Sequence, residues 1–141
     1  MHEKALRTRT EVPVLAHAAM LRGEKGHAFM LEVIAGLVKA FPHLMYVAAG
    51  EGPELESLQT QVQRLNLQQH VMFPGTLNPV APLLKRADVV VMPSHYEPLG
   101  MSQIEALGLG TPVVVSRVGG LPETVQHLNT GHVCPPPFSP G

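Results

Sequence analysis

Two unbroken apolar runs, Val89-Val90-Val91-Met92 and Val113-Val114-Val115, constrain the fold of this chain more than any other feature. A strand with one wet face alternates apolar and polar side chains, so a run with no polar position has both faces covered. Such strands belong to parallel sheets carrying helices on each side. Both runs fall far short of the ~20 apolar residues that span a bilayer.

The remaining pattern alternates strand and helix. Val12 to Ala19 predicts a first strand, and about His27 to Phe41 a helix whose broad apolar face holds Met30, Ile34, Leu37, Val38 and Phe41. Pro42 ends that helix. Met45 to Ala49 predicts a second strand, followed by the turn Gly50-Glu51-Gly52-Pro53 and a helix with Leu55, Leu58, Val62 and Leu65 at 3.6-residue spacing. Val71 to Phe73 predicts a third strand, Val80 to Ala87 one or two helical turns, and Asp88 leads into the fourth strand, Val89 to Met92. Then follow a helix over Gly100 to Leu109, a strand over Pro112 to Ser116, a short helix over Pro122 to His127 and a last strand over Gly131 to Cys134. The expected fold is α/β: a doubly wound, Rossmann-like parallel sheet with helices on both faces, as one domain over 12–134. Residues 1–11 form an irregular N-terminal segment. Pro135, Pro136, Pro137 and Pro140 make 135–141 a proline-rich tail without a regular element.

Composition excludes several functions. The chain has 141 residues, 45% of them hydrophobic and 15% charged, which is globular composition and enough for one substantial core. A net charge of -1 offers no basic surface to nucleic acid. Cys134 is the only cysteine and has no internal disulfide partner, and Met1-His2-Glu3-Lys4 lacks the apolar stretch of a signal peptide. A cytoplasmic setting is expected, with peripheral membrane association left open for a longer enzyme.

Residues with chemistry gather where strands end. Arg22, Gly23, Lys25 and Gly26 follow the first strand, Gly50 and Gly52 the second, Ser94 to Glu105 the fourth, and Gly119, Gly120 and Glu123 the fifth. Open parallel sheets bind ligands at that edge. Arg22 and Lys25 lie beside a helix start, whose dipole repels cations, so they are either solvated surface charges or partners of an anion such as a diphosphate. Glu97 and Glu105 bracket the turn and first part of the next helix. Two carboxylates so placed either stabilise a helix start, by ~0.3 to 1 kcal/mol each, or grip hydroxyls on both sides of a phosphate bound there. Glu105, between Ile104 and Ala106 in an apolar helix, would be costly without a partner. Asp88 is the only aspartate and the eight histidines are scattered, so no metal site is expected. Phosphate-loop and nucleophile-elbow motifs are absent from the sequence.

The run Glu97-Pro98-Leu99-Gly100-Met101-Ser102-Gln103-Ile104-Glu105, with Gly119-Gly120-Leu121-Pro122-Glu123 downstream, resembles the E-x7-E motif of retaining glycosyltransferases of the two-domain GT-B type. Val12 to Cys134 is similar to their donor-binding domain. The resemblance implies metal-independent transfer, with retention, of a sugar from a UDP- or GDP-linked donor to an acceptor hydroxyl, without a cofactor. It implies that Glu97 contacts the donor sugar and Glu105 the ribose, that the amides of Leu99, Gly100 and Met101 face the phosphates, and that Gly119 and Gly120 lie near the sugar. Lys25 matches the phosphate-binding lysine of that family. The arginine that stands five residues before it there is Met20 here, which leaves Arg22 as a substitute. An N-terminal acceptor-binding domain, or a separate subunit, is the implied partner, and little activity is expected without it. The alternatives are a nucleotide-sugar binding module without catalysis and a fragment of a nucleotide-sugar epimerase.

Overall fold

The computed structural model describes residues 12–94, 102–116 and 131–134. Six strands form one sheet: β1 (Val14–Ala18), β2 (Met45–Ala49), β3 (Val71–Gly75), β4 (Val89–Met92), β5 (Val113–Ser116) and β6 (Gly131–Cys134). Their order is β3-β2-β1-β4-β5-β6, and every pair is parallel. The helices are α1 (His27–Leu37), α2 (Leu55–Arg64), α3 (Ala81–Arg86) and α4 (Ser102–Gly108), with a 3-10 turn at Gly23–Lys25. The expected doubly wound plan is the observed one.

The valine runs divide between two cores, as a strand covered on both faces must. Val90, Met92, Val113 and Val115 pack with Leu84 of α3 and Ala106 of α4 on one face. Val91 turns to the other, where Met30, Leu31 and Ile34 of α1 and Leu58 and Val62 of α2 meet it, with Val114 packed at the margin. Burying one such side chain contributes about 1.5–3 kcal/mol. Asp88 links β4 to β1: its Oδ2 accepts the Val14 amide at 2.9 Å and lies 3.6 Å from Arg86.

The ends of some elements differ from expectation. α1 stops at Leu37, and its continuation tightens as Ala40 bonds back three residues to Leu37. Phe41 therefore leaves the apolar face and is 52% exposed; a residue before proline is driven out of helical geometry. β1 begins two residues later and ends one earlier than the apolar pattern. β3 runs on through Pro74 to Gly75, and the Gly50 amide bonds to the Gly75 carbonyl at 2.9 Å. Proline is tolerated there because β3 is an edge strand. α4 ends one residue before the predicted span does, while the first two residues of that span and the predicted helix over Pro122 to His127 lie outside the described residues.

The loops at the carboxyl edge lock together through backbone contacts that exclude side chains. Leu21 donates its amide to the Glu51 carbonyl at 2.9 Å, and Glu54 donates to the Leu21 carbonyl at 3.0 Å. A Cβ on Gly52 would stand 2.6 Å from the Leu21 carbonyl oxygen. Gly26, at φ +85°, lies against β4, where a Cβ would stand 2.0 Å from the Pro93 carbonyl oxygen. Gly36 in α1 has no neighbour within 4 Å of such an atom.

These contacts separate glycines required by packing from one that is not. Gly26→Ala and Gly52→Ala should each destabilise the chain by about 1–3 kcal/mol through overpacking against backbone. Gly36→Ala should instead stabilise it by about 0.5–1 kcal/mol, because alanine is the better helix former. Urea unfolding midpoints of the three variants check the contrast.

Candidate functional site

The chain winds outward from β1 through β2 to β3, then returns to place β4 on the other side of β1. The carboxyl edge beside β1 is thus the switch point where open sheets bind ligands. A cleft of about 350 Å³ opens there. Ala18, Ala19 and Met20 form its β1 wall, Ala49, Gly50 and Glu51 its β2 wall, and Thr76, Leu77 and Val80 close it beyond β3.

Two further elements converge on this edge. Ser102, the first residue of α4, donates its hydroxyl to the Ala18 carbonyl at 2.7 Å and so ties the start of α4 to the cleft wall. The turn carrying Lys25 bends back from Met20, with the Lys25 amide bonded to the Arg22 carbonyl at 3.0 Å. Gly26 then presses that turn onto Pro93, directly after β4. α1 follows with no side-chain N-cap and no acidic residue in its first turn. A helix start so furnished suits an anion.

The predicted site residues fare differently. Lys25 lies at the switch point as expected. Arg22 is at the same edge, but its guanidinium pairs with Glu24 at 3.1 Å on an exposed surface, so a bound anion is not needed to account for its charge. That contact, together with the Glu24 amide as the larger influence, holds the Glu24 carboxyl below its usual range. Gly26, at the same edge, is approached by the Pro93 carbonyl. Glu105 is in α4 but solvent-exposed, whereas Ala106 beside it is buried. The short helix turns Glu105 outward, so the desolvation cost inferred from its apolar neighbours does not arise. Glu97, Leu99, Gly100, Met101, Gly119 and Gly120 lie outside the described residues. Met20 is 56% exposed at the cleft mouth, leaving a thioether where the resembled family has a guanidinium. Among the described residues no three of His, Cys, Asp and Glu group as a metal site would. No described helix is long and apolar enough to cross a membrane.

One constellation escaped the sequence reading. His17 of β1 and His27 at the start of α1 stack with ring centroids 3.9 Å apart and planes 12° from parallel. Nδ1 of His17 and the Tyr46 hydroxyl are hydrogen-bonded at 2.6 Å. Nε2 of His17 and both ring nitrogens of His27 are buried without a well-formed hydrogen bond among the described residues. Burial first, then the charge of Lys25, holds His27 neutral down to about 4, and burial, then the charges of His27 and Lys25, hold His17 well below its usual value. A main-chain interaction with Lys25 opposes this for His17 without reversing it. Burial also pushes the Tyr46 hydroxyl well above its usual value. The one available signal was a polar side chain inside the apolar run Val14-Leu15-Ala16-His17-Ala18.

Comparison with known proteins agrees with this geometry. The family described as "Glycosyl transferases group 1" matches residues 2–140. The chain is 37% identical over 134 residues to the glycogen synthase of Mycobacterium tuberculosis, a match covering 94% of this chain and 32% of that protein. It is 31% identical over 121 residues to the N-acetyl-alpha-D-glucosaminyl L-malate synthase of Bacillus anthracis, covering 86% of this chain and 32% of the other. The chain thus spans about a third of the length of these relatives. Among solved structures, Anabaena Alr3699/HepE in complex with UDP superposes with a TM-score of 0.84 at 27% identity, over 97% of this chain and 39% of that one. The C-terminal domain of a group 1 glycosyl transferase (LpcC) from Francisella tularensis shares the fold, with a TM-score of 0.79 at 22% identity, over 95% of this chain and 73% of that one.

The stacked pair makes stability depend on acid. A histidine whose folded value lies below its unfolded value of 6.5 leaves stability untouched above that pH. Below it the unfolded chain takes up a proton that the folded chain refuses, until the folded value near 4 is reached. By linkage, His27 alone should remove about 2 kcal/mol between neutral pH and pH 5, and His17 adds loss of the same sign. His27→Phe keeps a stacked ring without a titrating nitrogen and should flatten its share of the slope. Urea midpoints from pH 7.5 to pH 4.5 measure both.

Proposed function

The chain belongs to the glycosyl transferases group 1 family, and from that premise we propose that it is the donor-binding half of a glycosyltransferase. The enzyme would transfer a sugar from a nucleotide diphosphate to an acceptor hydroxyl, with retention and without a metal. One observation carries this reading: the Ser102–Ala18 bond sets the helix of the E-x7-E motif against the β1 wall of the cleft, the wall from whose last residue, Met20, the chain runs on into the Lys25 turn.

The nucleotide would lie along the carboxyl edge. Its base would enter the cleft between the ends of β1, β2 and β3, whose walls are largely apolar, as small-molecule sites are. The diphosphate would reach the β1 and β4 ends, where Lys25 and the uncapped start of α1 offer positive charge. Glu105, exposed on α4, is free to meet the ribose, while Glu97 would contact the sugar and Gly119 and Gly120 would lie beside it.

In the transfer, the bond from the anomeric carbon to the phosphate oxygen would break as a bond to the acceptor oxygen forms, the acceptor hydroxyl giving up its proton. Negative charge then collects on the departing diphosphate. A fixed cation or amide at such a point is worth ~10² to 10³ in rate. Lys25 would be that cation. The metal-free reading finds support in Asp88, the only aspartate, whose carboxylate is engaged in joining β1 to β4. A second, acceptor-binding domain would complete the site from the other side, and the UDP and UDP-glucose held by the Anabaena protein support the donor class.

Lys25→Ala should weaken nucleoside diphosphate binding by about 10- to 100-fold, the worth of one charge-assisted hydrogen bond, and leave nucleoside binding nearly unchanged. Arg22→Ala, with Glu24 released, should have a smaller effect. Calorimetry with and without EDTA tests both ends of the reading. Binding that needs a divalent cation would overturn its metal-free part, and undiminished diphosphate binding by Lys25→Ala its phosphate site. Glu105→Gln should weaken UDP and UDP-sugar alike, whereas Glu97→Gln should weaken only the sugar-bearing ligand.

A further inference from the structure

Resting on the assignment of the cleft to the nucleotide base, the structure points to Glu51 as the residue that chooses the base, and we propose that it selects guanine. Among the described residues, Glu51 is the only ionisable side chain lining the cleft, and Thr76 is the only other polar one. Its carboxylate leans toward β3. Oε2 lies 3.6 Å from where a Cβ on Gly75 would stand, so the side chain reaches across from β2 to the end of β3. Gly75 has φ +81° and its carbonyl accepts the Gly50 amide, which holds the two strand ends together beneath the carboxylate. Among the described residues, neither a hydrogen bond nor an ion pair engages that carboxylate.

An ionised carboxylate only accepts hydrogen bonds, and its two oxygens suit two parallel donors. Guanine alone among the common bases presents such an edge, with the ring N1–H beside the exocyclic amino group. Uracil offers one N–H flanked by two carbonyl oxygens, both repelled by the negative charge. Adenine and cytosine each place a ring-nitrogen acceptor next to their amino group, so one contact is favourable and the other is not. Met20, Leu77 and Val80 give the flat ring apolar surface without donors that would favour a carbonyl-bearing edge. A site built to hydrogen-bond a ligand group rejects analogues that lack it more strongly than an apolar pocket rejects a misfit.

The test is calorimetry of the chain with GDP, UDP and ADP, repeated on Glu51→Gln and Lys25→Ala. GDP should bind at least about 10-fold more tightly than UDP, the discrimination of one well-formed charged contact. Glutamine presents one acceptor and one donor, a pattern that fits uracil, so Glu51→Gln should erase or reverse the preference. Because Glu51 is exposed, the variant should unfold at the parent's urea midpoint. UDP binding as tightly as GDP, or a GDP preference that survives in Glu51→Gln, would overturn the role of Glu51 while leaving the cleft as the base site. If none of the three nucleotides binds at millimolar concentration, the site reading fails and this proposal with it. Weaker binding of all three by Lys25→Ala, with the base preference unchanged, would support the two ends of the site as assigned.

Discussion

Backbone-to-backbone locking of the loops after β1 and β2 is the constraint on which the site depends. The two chains go on hydrogen-bonding after their strands end: Ala19 to Ala49, Leu21 to Glu51, and Glu54 back to Leu21. Contact this close leaves no room for a Cβ at Gly52, and the same holds at Gly26 against Pro93. The cleft walls and the Lys25 turn are consequently held by main chain, whose geometry side-chain rotamers do not disturb. Sites supported in this way keep their groups in place for ligand or transition state.

Beneath that edge lies a feature that works against stability. Two histidine rings stacked in the core, with nitrogens lacking well-formed partners, carry a desolvation cost that a leucine pair would not. Their neutrality follows from burial and from the proximity of Lys25, since another positive charge there would be repelled. The pair lies beneath the edge proposed for the donor, and functional sites are where departures from an apolar core are most common.

Much of the fold was legible because its signals are local and repeated. Val113-Val114-Val115 required cover on both faces whatever its neighbours were, and Leu58 and Val62 required a helix with one buried side. Element limits were less legible where tertiary pairing decides them. β3 runs on through Pro74 because an edge strand tolerates it, and Phe41 leaves its helix because a proline follows. Of the candidate site, the edge of the sheet was legible from the positions of Arg22, Lys25, Gly50 and Gly52. What those residues touch was not legible: Arg22 has Glu24 as its counter-charge, and Gly26 and Gly52 stand against the Pro93 and Leu21 carbonyls.

The sequence by itself determined the parallel sheet with helices on both faces, because unbroken apolar runs and 3.6-residue spacing are properties of single segments. It also determined which residue types reach the carboxyl edge, since strand direction follows from the alternation of elements. Only the tertiary structure decided that His17 and His27 stack, that Glu105 faces solvent and that Glu51 reaches over Gly75 into a cleft. Those facts depend on how three strand ends and a helix start are set against one another in space. Distances of that kind join residues remote along the chain, and no local pattern of apolar and polar residues encodes them.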